Sequence, residues 1–520
     1  MYLPRLVSTS KSTALTTQIF KQLKFTMTTP SFDDALVESL FPAPNFAAAF
    51  TNPAAPTPNA GITPESTAAL RRLLIENHKR FHVFFNDRGF HNHLSHHLFA
   101  AYGIGAPPHV LQKAFDDHAS YQRPAYQSPE PITQENWTKH LGNEDFYNAY
   151  MSFFNSEIKV HGVPATLEKY VLGEDANWGS GNPRMLDRFL SGVAHSMIHF
   201  GHSPEFGIDG MAVEGLAQTA VHDATLQPVF DASFFSKSDK TTNDLATLTA
   251  SLSLSDSAAN GHVHSFSILA RMLADDRLKA DVACKKEYPL VRFEDVLKNV
   301  GGIIREYASV WTIDEDEKHI QERVEELNWF VTLLFGIGGW KKDRAFRADF
   351  FLVHLVTSNL FMPSILSLLK PKSQVDLMRA YFANALVWFV AEGRPALDVQ
   401  GFFQSVTVDP KPNADSKSLS AKEPEGNPWF TVLAHTLVHP DEHHVKAERS
   451  LAHGAALYGA RPKGYFAHTG LKGAEYIDGS LFVRTAGLLM DALRWTYNPE
   501  ARVEGIDEGN GWDRDGLGWE

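Results

Sequence analysis

Between residues 64 and 495, apolar residues recur at helical spacing almost without interruption, and the Val/Ile/Thr alternation that strands need is nearly absent. That pattern restricts the chain to an all-α fold. Pro64-Glu65-Ser66-Thr67 opens a helix in which Leu70, Leu73 and Leu74 share a face. Further helices are expected over 93–102, 108–118, 145–157, 164–172, 183–201, 211–224, 262–274, 293–310, 314–335, 344–362, 373–390, 441–458 and 479–495. Several begin with Pro, Asp or Ser, residues that suit a helix start.

At 520 residues the chain is long enough to bury a large core. Two segments read as surface insertions: 231–261, dense in Ser, Thr, Asp and Ala, and 408–427, dense in Pro, Lys, Ser and Glu. Helices of one character lie on both sides of each, so 64–498 reads as a single large helical bundle-type domain. Residues 31–63 read as an extended connector, and 499–520 as an acidic, Gly-rich, Trp-bearing tail expected to pack loosely. Residues 1–30 are basic, hydroxyl-rich and acid-free. They resemble a transit-type leader, or else a tail upstream of a start at Met27. The first implies an organelle, the second the cytoplasm.

The net charge is −13, which repels phosphate backbones and anionic lipid and argues against nucleic acid as a partner. No apolar run approaches the roughly 18–20 residues of a membrane span. The single cysteine, Cys284, cannot close an internal disulfide, and its Lys/Asp-rich surroundings read as surface. Oligomeric state is not legible in the sequence.

Histidine is the compositional outlier, with 24 residues, many of them clustered. In Ala194-His195-Ser196-Met197-Ile198-His199-Phe200-Gly201-His202, a helix places His199 about 40° from His195 and His202 about 20° to its other side. Three imidazoles then share one face, as convergence on a metal requires, although a hydrogen-bonded histidine stripe has the same pattern. A second cluster, Phe90-His91-Asn92-His93-Leu94-Ser95-His96-His97, sets His93 and His97 on a common face. In a third, His439-Pro440-Asp441-Glu442-His443-His444-Val445-Lys446, a helix start puts His443 and Lys446 one turn apart. His354, in Phe351-Leu352-Val353-His354-Leu355, must be buried, and a buried imidazole needs a partner. Imidazole suits Fe, Zn, Cu and Ni. No G-x-G-x-x-G follows a strand, and no Walker loop, H-E-x-x-H or G-x-S-x-G occurs.

The ordered set Asn92-His93, Ala194-His195 with His199 and His202, Val353-His354-Leu355-Val356-Thr357 and Asp441-Glu442-His443 with Lys446 resembles the questin oxidase-like family. Supporting blocks are Phe84-Phe85-Asn86-Asp87, Gly103-Ile104-Gly105-Ala106 and Glu214-Gly215-Leu216-Ala217-Gln218-Thr219-Ala220. The resemblance implies an oxygenase that opens quinone or anthraquinone rings of aromatic polyketides with O2. Family members are described both as non-haem iron enzymes and as reductant-dependent Baeyer–Villiger oxidases, so Fe(II) and NADPH are the implied cofactors. It carries ligand roles to His93, His195, His354 and His443, with His202 or His199 a further partner, His199 and Lys446 also standing as catalytic candidates. A lysine ammonium, with an ordinary pKa of about 10.4, has no lone pair at neutral pH. Ligation by Lys446 therefore requires deprotonation or conversion to a carbamate, and a plain ion pair with Asp441 or Glu442 is the competing reading. Phe200 and Phe206 are candidates to stack on a flat guest. An alternative class is a helical HD-type metal-dependent hydrolase built on His222-Asp223; another is a non-catalytic helical scaffold.

Overall fold

Thr63 and Ser66 start the first long helix, Pro64–Arg80, by a reciprocal cap: the Thr63 hydroxyl accepts from the Ser66 N–H (3.2 Å) and the Ser66 hydroxyl from the Thr63 N–H (2.9 Å). Asp316 caps Glu317–Gly339 by accepting from the His319 N–H, and Asp441 caps Glu442–Tyr458 through the His444 N–H. The computed structural model describes residues 28–227, 229–235, 247, 250, 251, 258, 259, 262–412, 426–496 and 511–519. Among these the only strands are Ala258–Ala259 and His262–Val263, a two-residue antiparallel pair. The fold is all-α, and its buried apolar side chains form one continuous core from Val37 to Leu517. Among the described residues no helix is long and apolar enough to cross a membrane.

Four elements position the histidines. Leu352–Asn359, buried along its whole length, packs against Met185–Phe206, Glu317–Gly339 and Glu442–Tyr458. The last of these also packs on Leu94–Gly103. Arg449 of Glu442–Tyr458 pairs with Glu205 of Met185–Phe206, both buried, and so ties two histidine-bearing helices together. Breaking such a pair leaves an uncompensated buried charge, which costs about 3–5 kcal/mol.

Several expectations are corrected. The helix expected over 183–201 is broken at Ser191–Ala194: Gly192, Val193 and Ala194 are left-handed (φ 55°, 53° and 60°), and helical geometry resumes at His195. Gly192 is required there twice over, since a Cβ would lie 2.3 Å from His222 Nε2. Val193 and Ala194 hold the same conformation at a cost of order 1–3 kcal/mol each. Only Leu352–Asn359 of the expected 344–362 helix is regular before Leu360. Asp349 accepts from the Phe351 and Leu352 N–H groups and starts the helix late. His222 lies just past the end of Asp209–Val221, so the His222-Asp223 dipeptide is not on a helix. Cys284 is buried, and burial pushes its thiol up to about 12. The tail does not dangle in its last part: Trp512 is 5% exposed and Leu517 1%. Residues 1–27 and most of 231–261 and 408–427 lie outside the described residues.

Candidate metal centre

His93, His195, His354 and His443 come from four elements distant in sequence, yet one ring nitrogen of each lies within 4.8 Å of the others, and all four residues are buried. Each arrives by a different local device. His93 sits at the N-cap position of Leu94–Gly103, with φ −93° and ψ 2°, while the Asn92 side chain accepts from the Leu94 N–H. Outside the helix proper, its ring leaves the face carrying His96 and His97; His97 pairs with His118 instead (3.1 Å). His195 opens the resumed helix after the left-handed turn. His354 lies mid-helix, 0% exposed, and His443 is in the first turn behind the Asp441 cap.

The second nitrogen of each ring is held by an acceptor. His354 Nδ1 lies 2.6 Å from the Phe350 carbonyl and His195 Nδ1 2.5 Å from the Gly192 carbonyl. A carbonyl only accepts, so both Nδ1 atoms carry the proton and both Nε2 atoms carry a lone pair. Glu442 Oε1 lies 3.1 Å from Nδ1 of His93 and 3.1 Å from Nδ1 of His443, which fixes the same tautomer in those rings. Four Nε2 lone pairs therefore face one another. His93 and His195 Nε2 are 2.7 Å apart, and Nε2 of His354 and of His443 has no hydrogen-bond partner among the described residues. Burial first, then the neighbouring histidines and Lys446, holds the imidazoles of His93, His195 and His354 well below their ordinary pKa, so they stay neutral. Facing lone pairs in a dry site repel unless a cation lies between them, and a metal ion satisfies all four. Acceptors on the far nitrogens are the arrangement that orients metal-binding histidines. The cluster could hold a metal ion.

Lys446, one turn beyond His443, is buried and its Nζ has no partner among the described residues. Burial pulls its ammonium down to about 8, against the upward pull of Glu442 and Asp441. The ion-pair reading fails: Glu442 is engaged by His93 and His443, and Asp441 by His444 N–H and Trp512 Nε1.

His199 and His202 lie outside the group of four. His199 Nε2 donates to Glu214 Oε2 (2.7 Å), whose Oε1 accepts from His78 Nδ1 (2.6 Å), and His199 Nδ1 faces His96 Nε2 (3.0 Å). Burial would raise the Glu214 carboxyl, but the two imidazole donors outweigh it and hold it at about 2. His202 packs its ring on Phe99 and Phe361. Phe200 and Phe206 are fully buried, packed on Phe189 and on Phe46 and Phe99, and offer no open face. His222 Nε2 meets His91 Nε2 (2.9 Å), and the His91 ring stacks on His195 at 3.8 Å, so it backs the cluster rather than forming a site of its own.

Sequence reasoning assigns no role to His96, His78 or Glu214, although Glu214 stands in one of the blocks that carry the family resemblance. It reads Glu442 as a candidate ion-pair partner of Lys446; a carboxylate between two cluster histidines, His93 and the adjacent His443, is the role it misses.

The chain is similar to a Baeyer–Villiger monooxygenase of Aspergillus aculeatus, at 26% identity over 470 residues, covering 88% of this chain and 92% of that protein. It is similar to a Baeyer–Villiger oxidase of Pestalotiopsis microspora, at 28% identity over 411 residues (75% and 81%). A questin oxidase of Aspergillus fumigatus is 26% identical over 434 residues (82% and 88%). The sequence profile of the questin oxidase-like family matches residues 90–451, a span that holds all four converging histidines and Lys446, and the chain belongs to that family.

Proposed function

We propose that the protein is an oxidoreductase, an oxygenase that opens a quinone- or anthraquinone-type ring of an aromatic polyketide with O2 at a non-haem iron. The observation that carries this reading is the set of four Nε2 lone pairs directed at one buried point, each fixed by an acceptor on the far side of its ring. His93, His195, His354 and His443 would hold the metal. The relatives named as Baeyer–Villiger and questin oxidases support the reaction class.

Iron held by these four residues would supply an O2-binding position and redox capacity at a buried site. The chain supplies the rest. The Phe350 and Gly192 carbonyls and the Glu442 carboxylate hold four protons on Nδ1 and keep the rings from turning. Lys446, neutral above about pH 8, can attack CO2 through its amine, release a proton and become an anionic carbamate, a hard oxygen ligand beside the imidazoles. His199 has both ring nitrogens engaged, Nε2 by Glu214 and Nδ1 by His96 Nε2, so a proton from a phenolic substrate would reach it only by way of the His96 ring, whose Nδ1 has no partner among the described residues.

The Baeyer–Villiger names favour a second reading, in which NADPH supplies electrons and oxygen enters beside a ring carbonyl without iron. Metal-stripped enzyme assayed separately with Fe(II), Zn(II) and NADPH plus flavin separates the two. The iron reading expects O2 uptake with an anthraquinone or hydroxyanthrone to return with Fe(II) alone. Full activity of metal-free protein given NADPH and flavin would overturn it.

A further inference from the structure

The last described segment, residues 511–519, packs beside the His443 side of the histidine cluster and is joined to two of the stretches that build it. Trp512 Nε1 donates to Asp441 Oδ2 (2.8 Å), and Asp441 is the cap of the helix carrying His443. The indole packs near the rings of His443 (5.9 Å) and Phe350 (6.2 Å). Next to it, the backbone of Asp513 runs parallel to Asp349: its N–H donates to the Ala348 carbonyl and its carbonyl accepts from the Phe350 N–H, both at 2.8 Å. Phe350 is the residue whose own carbonyl orients His354 (2.6 Å). The Asp513 carboxylate is held by Arg347, and the Arg514 guanidinium lies 4.2 Å from the centre of the Phe350 ring.

The far end of the segment is anchored away from the cluster. Leu517 is buried, and the Gly518 N–H donates to the Glu392 carbonyl (2.9 Å). Gly518 and Gly393 touch so closely that a Cβ on Gly518 would lie 1.9 Å from the Gly393 oxygen. Arg292, itself paired with buried Glu392, donates to the Asp515 carbonyl. This short run thus makes backbone and apolar contacts at both ends and an ion pair at the first, outside residues 90–451 that the family profile matches.

We propose that residues 511–519 are a latch that positions the metal cluster, with Trp512 and Asp513 as positioning residues. Trp512 sets the start of the His443 helix through Asp441. The Asp513 carbonyl fixes the peptide unit entering Phe350 and, through that residue, the acceptor of His354. This inference rests on the metal-binding reading above. Outer partners of metal-binding histidines typically change affinity by about 10–100-fold when lost. The latch acts one bond further out, so a loss of about tenfold is expected from a single contact.

Three full-length proteins test it: the unaltered chain, Trp512→Phe, which keeps an aromatic ring but loses the indole N–H, and Leu517→Asp, which unseats the far anchor. Each is titrated anaerobically with Co(II) alone, reading affinity and the d–d absorption spectrum, with far-UV circular dichroism of the metal-free protein as the fold control. The latch predicts about tenfold weaker binding and an altered spectrum in Trp512→Phe with unchanged helicity, and a larger loss in Leu517→Asp. Unchanged affinity and spectrum in Trp512→Phe, beside an unaltered chain that binds Co(II), overturns the latch alone. Failure of the unaltered chain to bind Co(II) overturns the metal reading and the latch with it.

Discussion

Glu442→Gln is the substitution with the clearest expected consequence. In the native protein one carboxylate oxygen serves Nδ1 of both His93 and His443, each at 3.1 Å. A glutamine keeps the shape but offers one oxygen and one NH2 group. With its oxygen in the place of Oε1 it still accepts from both Nδ1–H groups, but two charge-assisted bonds become neutral ones. The tautomers are kept, while both rings lose the carboxylate that raises their basicity, so their Nε2 atoms hold a cation less strongly. Changes in an outer partner cost roughly 10–100-fold in metal affinity, equivalent to about 1.4–2.7 kcal/mol, and loss of the charge alone is expected at the lower end. The assay is an anaerobic Fe(II) competition titration against a chelator of known affinity, with Glu442→Asp as a charge-preserving comparison. Wild-type affinity in Glu442→Gln would refute the reasoning, because the carboxylate charge behind His93 and His443 would then contribute nothing to metal binding.

Replacing Glu214 by Gln removes charge from two hydrogen bonds, each worth about 1.5–3 kcal/mol with one partner ionised and about 0.5–1.5 kcal/mol without, a loss of about 2–3 kcal/mol in all. For a chain of 520 residues, unfolding entropy of about 1.1 kcal/mol/K converts that loss to a fall of about 2–3 °C in Tm, measurable by calorimetry. Glu448 is fully buried with both carboxylate oxygens unpartnered among the described residues, and burial raises its pKa well above the ordinary value. Its native state therefore binds a proton that the unfolded chain releases above about pH 4.5, so stability falls as pH rises through the native pKa. Glu448→Gln is accordingly expected to be more stable than wild type at pH 8 and to lose that advantage below about pH 4.5, as read from denaturant midpoints. If Lys446 reacts with CO2, adding bicarbonate to CO2-depleted protein raises Fe(II) affinity in wild type and leaves Lys446→Arg unmoved; equal responses would remove the carbamate.

The helical fold was legible because a 3.6-residue apolar period survives over hundreds of residues, and the long helices with polar caps at Thr63, Asp316 and Asp441 fall where the caps stand. The break at Ser191–Ala194 was not, since Val193 and Ala194 carry no local preference for the left-handed region they adopt. Periodicity also put His93 and His97 on one face, whereas the Asn92 cap leaves His93 just outside the helix and free to turn toward His195. His354 was readable as buried from its apolar neighbours. Its partner, the Phe350 carbonyl, was not, because an i−4 carbonyl is normally used by the helix and is free here only because Asp349 starts the helix late. The relay through Glu214 joins residues 78, 199 and 214, and the latch joins 349 to 513; contacts of such sequence separation leave no trace in a local pattern.

X-ray absorption at the iron edge, on full-length protein loaded anaerobically with one equivalent of Fe(II), addresses the four-imidazole centre itself. Such a centre predicts bound iron with outer-shell scattering of several imidazoles, fitted best by four, and a reduced count in His354→Ala. Iron that does not bind, or that binds with no imidazole scattering, would contradict it.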